Sequence, residues 1–314
     1  NSYCQKAGHA GAPAPRTGMC HGKAVPPGGD QLVPLYGLAV GDGWIDPVNM
    51  IGGYPEMMFN FGLVSMKQKA VIQDYCDRCV AQIKGGNMTA AFEIWDRVSP
   101  PPRTLSCCLL LWFLCFFLYF AHTPPCPHHP PIQMLNGDIF PYPNLFHNYT
   151  GSNDYDNFLR TDAPAEFGLF GKYVEQPAVR AAMHTGTVKF NDGHACEMHL
   201  VADFHVSLAK ELIALLEADI YRTFIYSGQL DVIIGAPLTE RFLNVLPWSG
   251  LAEYQDADRK IWYDQSQDDP VSGYVREVKS LTQIIIRGAG HIAPYDQPVR
   301  ARDMIDHLVS GKPF

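Results

Sequence analysis

Two short strand-like runs, each ending in a glycine turn, constrain the fold of this chain more than any other feature. Residues 223–226 are β-branched or aromatic and stop at S-G, and residues 283–286, a glutamine and three isoleucines, stop one residue before G-A-G. An amphipathic helix pattern follows the second run, with apolar residues at i, i+3, i+4 and i+7: Ala301, Met304, Ile305 and Leu308. Strands that alternate with helices predict an α/β protein built on a parallel sheet covered on both faces.

An acidic and a basic side chain follow these two glycine turns. Asp231 lies five residues beyond the first strand, and His291 comes directly after G-A-G. Functional residues of a parallel α/β sheet lie just past the carboxyl ends of the strands, and glycine permits the sharp turns this requires. An isolated Asp or His in a loop is usually a turn former or a surface group. The joint pattern of strand, turn and acid, then strand, turn and base, predicts the end of a Ser–Asp–His triad.

Composition excludes one class of function and indicates a compartment. The net charge is −8 and no basic block is present, which excludes a nucleic-acid partner that would need clustered Lys and Arg. Two N-glycosylation acceptors, at Asn87 and Asn148, predict a secretory route that ends in the lysosome or outside the cell. The chain begins at Asn1 without a signal peptide, which we interpret as a piece of a longer protein.

Helical periodicity dominates the middle of the chain. The pattern over 50–83 predicts helices with two apolar faces, one formed by Met57, Phe61 and Val64 and the other by Val71, Tyr75 and Cys79. A further stripe over 206–217 contains Leu208, Leu212 and Leu215. We divide the chain into an irregular segment (1–33), a core strand and turn (34–50), a helical cap (51–97), an anomalous insert (98–133), the rest of the cap (134–220) and a C-terminal core (221–314).

The insert at 98–133 differs from everything around it. An almost unbroken apolar run from Leu105 to Ala121 precedes a stretch rich in proline and histidine. Its length is at the short end of a membrane span, and a buried core helix is a second interpretation. A third is a translated retained intron, because the residues are those of pyrimidine-rich codons and the ends can encode splice sites. We favour the intron, and expect the dominant mRNA to omit these 36 codons.

Three segments give the chain a specific resemblance. Y-S-G-Q-L-D (226–231), R-G-A-G-H-I-A-P-Y-D-Q-P (287–298) and G-D-G-W-I-D-P (41–47) resemble signature segments of the serine carboxypeptidases, and the likeness covers 34–97 and 134–314. It implies an α/β-hydrolase fold without cofactor or metal, acting on peptides with a free C-terminus. Asp231 and His291 fall on the family's catalytic Asp and His, and Ile292 falls where the family lines the pocket for the departing residue. Joining Arg97 to Met134 restores the family's pattern there.

The chain also departs from this family. Ser2 and Tyr3 match the nucleophile segment G-E-S-Y-A-G, which makes Ser2 the candidate nucleophile and Tyr3 a candidate substrate contact. Asn1 replaces the Glu, however, and Gln5 replaces the second Gly. The W-N-G-G-P-G segment, which supplies an oxyanion-hole N–H in the family, is absent. The leading hypothesis is therefore a serine-type carboxypeptidase, and its rival is an inactive α/β-hydrolase fragment that lacks the nucleophile elbow and the oxyanion segment.

Cys76 and Cys79 form a C-x-x-C pair within the helical pattern. The resemblance implies disulfide partners for them, but Ser152 and Thr161 stand where those partners are expected. A redox motif is a second interpretation, although a helix of a secretory protein is the wrong context for one. Two buried helix cysteines remain the third.

Overall fold

The computed structural model describes residues 36–96, 145–190, 196, 199–264 and 268–314. One five-stranded sheet organises them, with strands β1 Gly37–Gly41, β2 Arg222–Gly228, β3 Lys260–Tyr263, β4 Val271–Val278 and β5 Leu281–Ile286. The spatial order is β1-β2-β5-β4-β3. The strands predicted at 223–226 and 283–286 are therefore confirmed, and each is longer than its apolar run. They lie side by side at the centre of the sheet.

The sheet is mixed, and this corrects the prediction of a parallel sheet. β1, β2 and β5 are parallel, with Phe224 opposite Ala39 on one side and Thr282 on the other. β4 runs antiparallel to β5, and β3 at the edge runs antiparallel to β4. The tight connection between β4 and β5 explains the difference: Val278 pairs with Leu281, and Lys279 between them adopts a left-handed φ of 50°. Two residues suffice for an antiparallel hairpin, whereas a parallel connection needs a crossover.

Helices form most of the described residues between β1 and β2. Those before residue 97 are α1 Pro47–Met50, α2 Tyr54–Asn60, α3 Met66–Lys84 and α4 Met88–Asp96, with a 3₁₀ turn at Ile51–Gly53. Those between 145 and β2 are α5 Leu145–Thr150, α6 Leu169–Val174, α7 Pro177–Ala182 and α8 Ala209–Ala218, with a 3₁₀ turn at Ala165–Gly168. The C-terminal helices are α9 Ala236–Leu243, α10 Leu251–Asp256, α11 Ala293–Asp296 and α12 Pro298–Ser310.

The long helix α3 begins at a capping box, in which the Ser65 hydroxyl accepts from the Gln68 N–H and the Gln68 side chain accepts from the Ser65 N–H. Its buried face agrees with the predicted one at Cys79 and differs from it at Val71 and Tyr75. Val71 is exposed and Tyr75 is only half-buried, whereas a neighbouring row is buried: Ile72, Cys76, Cys79 and Ile83. That row keeps the i, i+4, i+7, i+11 spacing of a single helix face, so the apolar stripe is rotated by one residue from the prediction.

Two other predicted stripes are confirmed in part. In α8, Leu212 is buried, but Leu216 takes the inward position expected of Leu215. In α12, Ala301 and Met304 are buried against the sheet while Ile305 is 41% exposed. Apolar side chains cover both faces of the sheet: Ile225 and Leu281 belong to the larger cluster with α1–α4 and α9, and Phe224 and Ile284 to a smaller one beneath α12.

Three predicted features lie outside the described residues: the irregular N-terminal segment, the insert at 98–133, and the junction it interrupts. The division of the chain into six segments likewise stays a prediction. Within the part that the structure describes, no helix has the length and apolar character needed to cross a membrane.

Candidate active site

Asp231 occupies a fully buried position just beyond β2. The chain leaves the strand at Gly228 and turns, and the Asp231 N–H lies 3.5 Å from the Gly228 carbonyl. One carboxylate oxygen, Oδ1, accepts the Ile234 N–H at 3.0 Å. Its second oxygen, Oδ2, lies 3.0 Å from Nδ1 of His291. An aspartate without solvent contact therefore has a partner on each oxygen, as a buried carboxylate requires.

His291 is positioned by the loop that follows β5. Gly288, with a left-handed φ of 75°, turns the chain, and the His291 N–H donates to the Asp156 carbonyl at 2.7 Å. The imidazole keeps about a third of its surface exposed, at 31%. Asp231 and His291 are 60 residues apart in sequence, and they meet because β2 and β5 are adjacent parallel strands. The predicted convergence of the acid and the base is therefore observed.

Two glycines allow the loops to approach this closely. A Cβ at Gly228 would lie 2.0 Å from the Gly290 carbonyl oxygen, and a Cβ at Gly290 would lie 2.1 Å from the Asp156 carbonyl oxygen. Both contacts are with backbone atoms, which cannot rotate away as a side chain would. The loop after β2, the loop after β5 and the segment near Asp156 are thus packed backbone to backbone.

A clamp formed by the segment 154–160 holds these loops together. Arg160 donates to the Asp154 carboxylate at 2.6 Å and to the Asp296 carboxylate at 2.9 Å. Asp296 in turn accepts the N–H of Gly290, the residue before His291, at 2.7 Å. Both carboxylates are almost completely buried. Sequence analysis did not assign a role to any of these three charged residues, although they lie in or beside the segments that carry the family resemblance.

A second buried carboxyl group, from Asp42, completes the site. It follows β1 with a left-handed φ of 47°, and its Oδ1 accepts the Gly228 N–H at 3.3 Å. Ligand-type atoms of Asp42, Asp231 and His291 all lie within 4.8 Å of one another. Sequence analysis missed Asp42, although its position in G-D-G at the end of a strand was the available signal. These three groups are also the cluster with metal-ligand spacing among the described residues.

The charges in this cluster shift several pKa values. Burial lowers the pKa of His291, but the attraction and hydrogen bond of Asp231, with the charges of Asp42 and Asp156, raise it to about 10. Burial raises the pKa of Asp42 well above its usual value, and the charge of Asp231 adds to this. Burial also raises the pKa of Asp156, to about 6. The site therefore stabilises the imidazolium, which is the form His291 takes after it has accepted a proton.

Three further residues were predicted to belong to the site: Ile292, Ser2 and Tyr3. Ile292 follows His291 and is 37% exposed, so it borders the site, and its role in substrate binding stays a prediction. Ser2 and Tyr3 lie outside the described residues.

The cysteine pair agrees with the interpretation as buried helix residues. Cys76 and Cys79 are both buried thiols, and burial raises the pKa of Cys76 well above its usual value and that of Cys79 to about 12. Where the resemblance implied cysteine partners, the structure has hydrogen bonds. The Ser152 hydroxyl donates to the Arg160 carbonyl at 2.8 Å, and the Thr161 carbonyl accepts the Asn153 N–H at 2.7 Å.

The fold is that of an α/β-hydrolase, and the chain belongs to the serine carboxypeptidase family, whose sequence pattern matches residues 23–311. Among its relatives, human "Probable serine carboxypeptidase CPVL" is 37% identical over 280 residues, which are 89% of this chain and 51% of that protein. The "Venom serine carboxypeptidase" of Apis mellifera is 31% identical over 90% of this chain and 52% of its own length. The chain thus spans about half the length of these relatives.

A solved structure shares the fold. A prohormone-processing carboxypeptidase from Saccharomyces cerevisiae is similar with a TM-score of 0.56 at 18% identity, over 88% of this chain and 55% of that one. Four segments also resemble vitellogenic-like carboxypeptidase in particular, namely I-G-G-Y (51–54), N-D-Y-D-N-F-L-R (153–160), F-N-D-G (190–193) and P-L-T-E-R (237–241). A "Vitellogenic carboxypeptidase" from Aedes aegypti is among the relatives, at 26% identity over 87% of this chain and 50% of its own length.

Proposed function

We propose that this chain contributes the acid and the base of a serine-type carboxypeptidase, which hydrolyses C-terminal residues of peptides through an acyl-enzyme. The observation that carries the proposal is the 3.0 Å contact between Asp231 Oδ2 and His291 Nδ1 at the carboxyl ends of two adjacent parallel strands. The order of acid before base along the chain is that of α/β-hydrolases. Membership of the serine carboxypeptidase family supports the same reaction class.

The proposed mechanism assigns each group one task. With its Nδ1–H donated to Asp231, His291 has Nε2 free to take the proton of a serine hydroxyl. The serine then attacks the scissile carbonyl, and the imidazolium passes the proton to the departing amine. Asp231 stabilises the imidazolium, in agreement with the pKa of His291 being raised by its charge. Water hydrolyses the acyl-enzyme with the same base.

The nucleophile and the substrate contacts complete the proposal. Ser2 is the proposed nucleophile and Tyr3 a proposed substrate contact, because both match the family's nucleophile segment. Ile292 is proposed to contact the departing residue, since it borders His291 and is partly exposed. The partners are peptides with a free C-terminus, and the proposal involves no cofactor.

A secretory route is part of the same proposal. The side chains of Asn87 and Asn148 are both exposed, as glycosylation requires. Oδ1 of Asn87 accepts the Ala90 N–H at 3.1 Å and caps α4, so its Nδ2, the atom that carries a glycan, is not used in that bond. Both sites are therefore accessible to glycosylation, and we place the protein in the lysosome or outside the cell. Treatment with an N-glycosidase tests this, since a shift in mass is expected for each occupied site.

A catalytically silent α/β-hydrolase is the second candidate. The observations that favour it are the missing W-N-G-G-P-G segment and Gln5 at the position of a glycine that the nucleophile elbow needs. Loss of one oxyanion-hole donor alone costs roughly 10²–10³ in kcat.

A labelling experiment separates the two candidates. The 314-residue chain and its full gene product are each treated with a fluorophosphonate probe and assayed for release of C-terminal residues from a blocked dipeptide. We expect the gene product to be labelled and active and the shorter chain to be neither, because that chain lacks the oxyanion segment. An unlabelled and inactive gene product would establish the silent candidate. Stoichiometric labelling of the chain at Ser2 would show that this serine is a working nucleophile without that segment.

A further inference from the structure

Asp42 has a buried carboxyl group to which the proposed mechanism assigns no role. It is 6% exposed, and its side chain accepts a hydrogen bond from the Gly228 N–H at 3.3 Å. Its carboxylate lies within 4.8 Å of the ligand-type atoms of both Asp231 and His291. A buried carboxyl so close to a second one needs a physical account, because desolvation makes every buried charge costly.

Charge balance decides which of the two carboxyl groups carries a proton. Two carboxylates that share a buried site do not both ionise, and the pKa of one is strongly raised. Asp231 has the better surroundings for an anion, with the Ile234 N–H at 3.0 Å on one oxygen and His291 Nδ1 at 3.0 Å on the other. Asp42 has the longer contact with Gly228. The proton therefore belongs on Asp42.

We propose that Asp42 is a positioning residue that stays protonated in the folded protein and donates a hydrogen bond to the Asp231 carboxylate. This bond keeps Asp231 ionised and oriented towards His291. Asp42 acts through Asp231 and does not touch the substrate. The inference deepens the proposed function and rests on it for its catalytic consequence, whereas the protonation state of Asp42 can be measured without turnover.

Several titratable groups face Asp42. On β2, burial raises the pKa of Tyr226, and a charge on Asp42 would raise it further. The charge and the hydrogen bond of Asp231 raise the pKa of His291 more than Asp42 or Asp156 does, so that raised pKa does not require an ionised Asp42. Tyr54 on α2 lies near Asp231, and burial raises its pKa well above the usual value. Within the described part of the chain, His291 is the cation that lowers the pKa of Asp42, and burial outweighs it.

Carboxyl ¹³C NMR of the 314-residue chain measures this state directly. The Asp42 carboxyl carbon is assigned by through-bond correlation to its own Cβ, so no variant has to fold. We expect Asp42 to titrate well above the ordinary aspartate value of 3.8, with its carboxyl still protonated when exposed aspartates have ionised. A midpoint at or below that ordinary value overturns the proposal.

Two substitutions test the consequence. Asp42→Asn keeps a hydrogen-bond donor, adds no charge and tolerates a left-handed φ. If Asp42 is neutral, the pKa of His291 should move by less than about one unit in this variant. If Asp42 is an anion, its removal should lower that pKa by about 1–3 units, which would contradict the proposal.

In the full gene product, Asp42→Ala should lower kcat about tenfold and Asp42→Asn should restore it, since one hydrogen bond is removed and then replaced. Asp219→Ala is the control, because Asp219 has a similar left-handed φ, at 50°, and precedes β2, whereas the site lies beyond the other end of that strand. An equal loss of kcat in the Asp42→Ala and Asp42→Asn variants would contradict the proposed role of Asp42 as a hydrogen-bond donor to Asp231. An inactive gene product would refute the proposed function and leave the NMR result standing.

Discussion

Gly228 and Gly290 approach each other so closely that neither position has room for a side chain. A Cβ on Gly228 would lie 2.0 Å from the Gly290 carbonyl oxygen, and that residue in turn is pressed against the backbone of Asp156. The separation of Asp231 from His291 therefore depends on backbone contacts between three segments. Cβ contacts below 3.0 Å essentially never occur, so a larger residue must push the loops apart.

Gly228→Ala should accordingly lower both stability and activity. Overpacking against fixed backbone costs about 1–3 kcal/mol, and it displaces the loops that hold the acid and the base. The free energy of unfolding from urea titration measures this. Gly168→Ala is the matched control, because a Cβ there meets nothing within 4 Å, and it should change stability by less than about 0.5 kcal/mol. Equal effects of the two substitutions would refute the importance of the close approach.

Arg160→Met should destabilise the protein because it leaves two buried carboxylates without their shared cation. Breaking a buried ion pair by removing one partner costs about 3–5 kcal/mol, and the partial exposure of Arg160 places the expected loss at about 3 kcal/mol. Arg302→Met is the control, since Arg302 is 84% exposed and lies 3.9 Å from Asp306. Denaturant titration compares the two. A loss at Arg160 no larger than at Arg302 would show that the clamp does not stabilise the loops.

Stability should fall as the pH rises from about 6.5 to about 10. The pKa of His291 is higher in the folded protein than its ordinary value of 6.5, so the folded state retains a proton that the unfolded state has released. The contribution is complete below 6.5 and is lost as the pH rises through about 10, with a limiting slope of about 1.4 kcal/mol per pH unit. His291→Gln should remove most of this slope. Parallel pH profiles for the two proteins would contradict the raised pKa.

Much of the core was predictable because its signals are local. The runs at 223–226 and 283–286 are short, rich in β-branched or aromatic residues and followed by glycine turns, so their strands and the positions of Asp231 and His291 were predicted from strand propensity and turn chemistry. β4 was missed because Arg276 and Glu277 interrupt its apolar pattern, and its hairpin to β5 has no glycine. The two antiparallel pairings of the sheet, β4 with β5 and β3 with β4, were therefore not predicted either.

The rest of the site was not predictable because it depends on contacts that are distant in sequence. Arg160 and Asp296 are 136 residues apart, and Asp42 and Gly228 are 186 apart. A charged residue in a loop gives no local sign of which carboxylate it will meet. The apolar face of α3 was misplaced by one residue for a related reason, since Val71 and Ile72 are equally apolar and only packing decides between them.

The effect of Asp231→Asn on turnover tests the central claim most directly. Hydrolysis of a blocked dipeptide by the full gene product is compared with that of Asp231→Asn and of a control, Asp256→Asn, at an exposed position at the end of α10. The amide that replaces the carboxylate would stabilise the wrong tautomer of His291, so kcat should fall about 10⁴-fold while the fold persists and the control keeps full activity. A kcat for Asp231→Asn within a few fold of the unsubstituted protein would remove Asp231 from the triad and contradict the account.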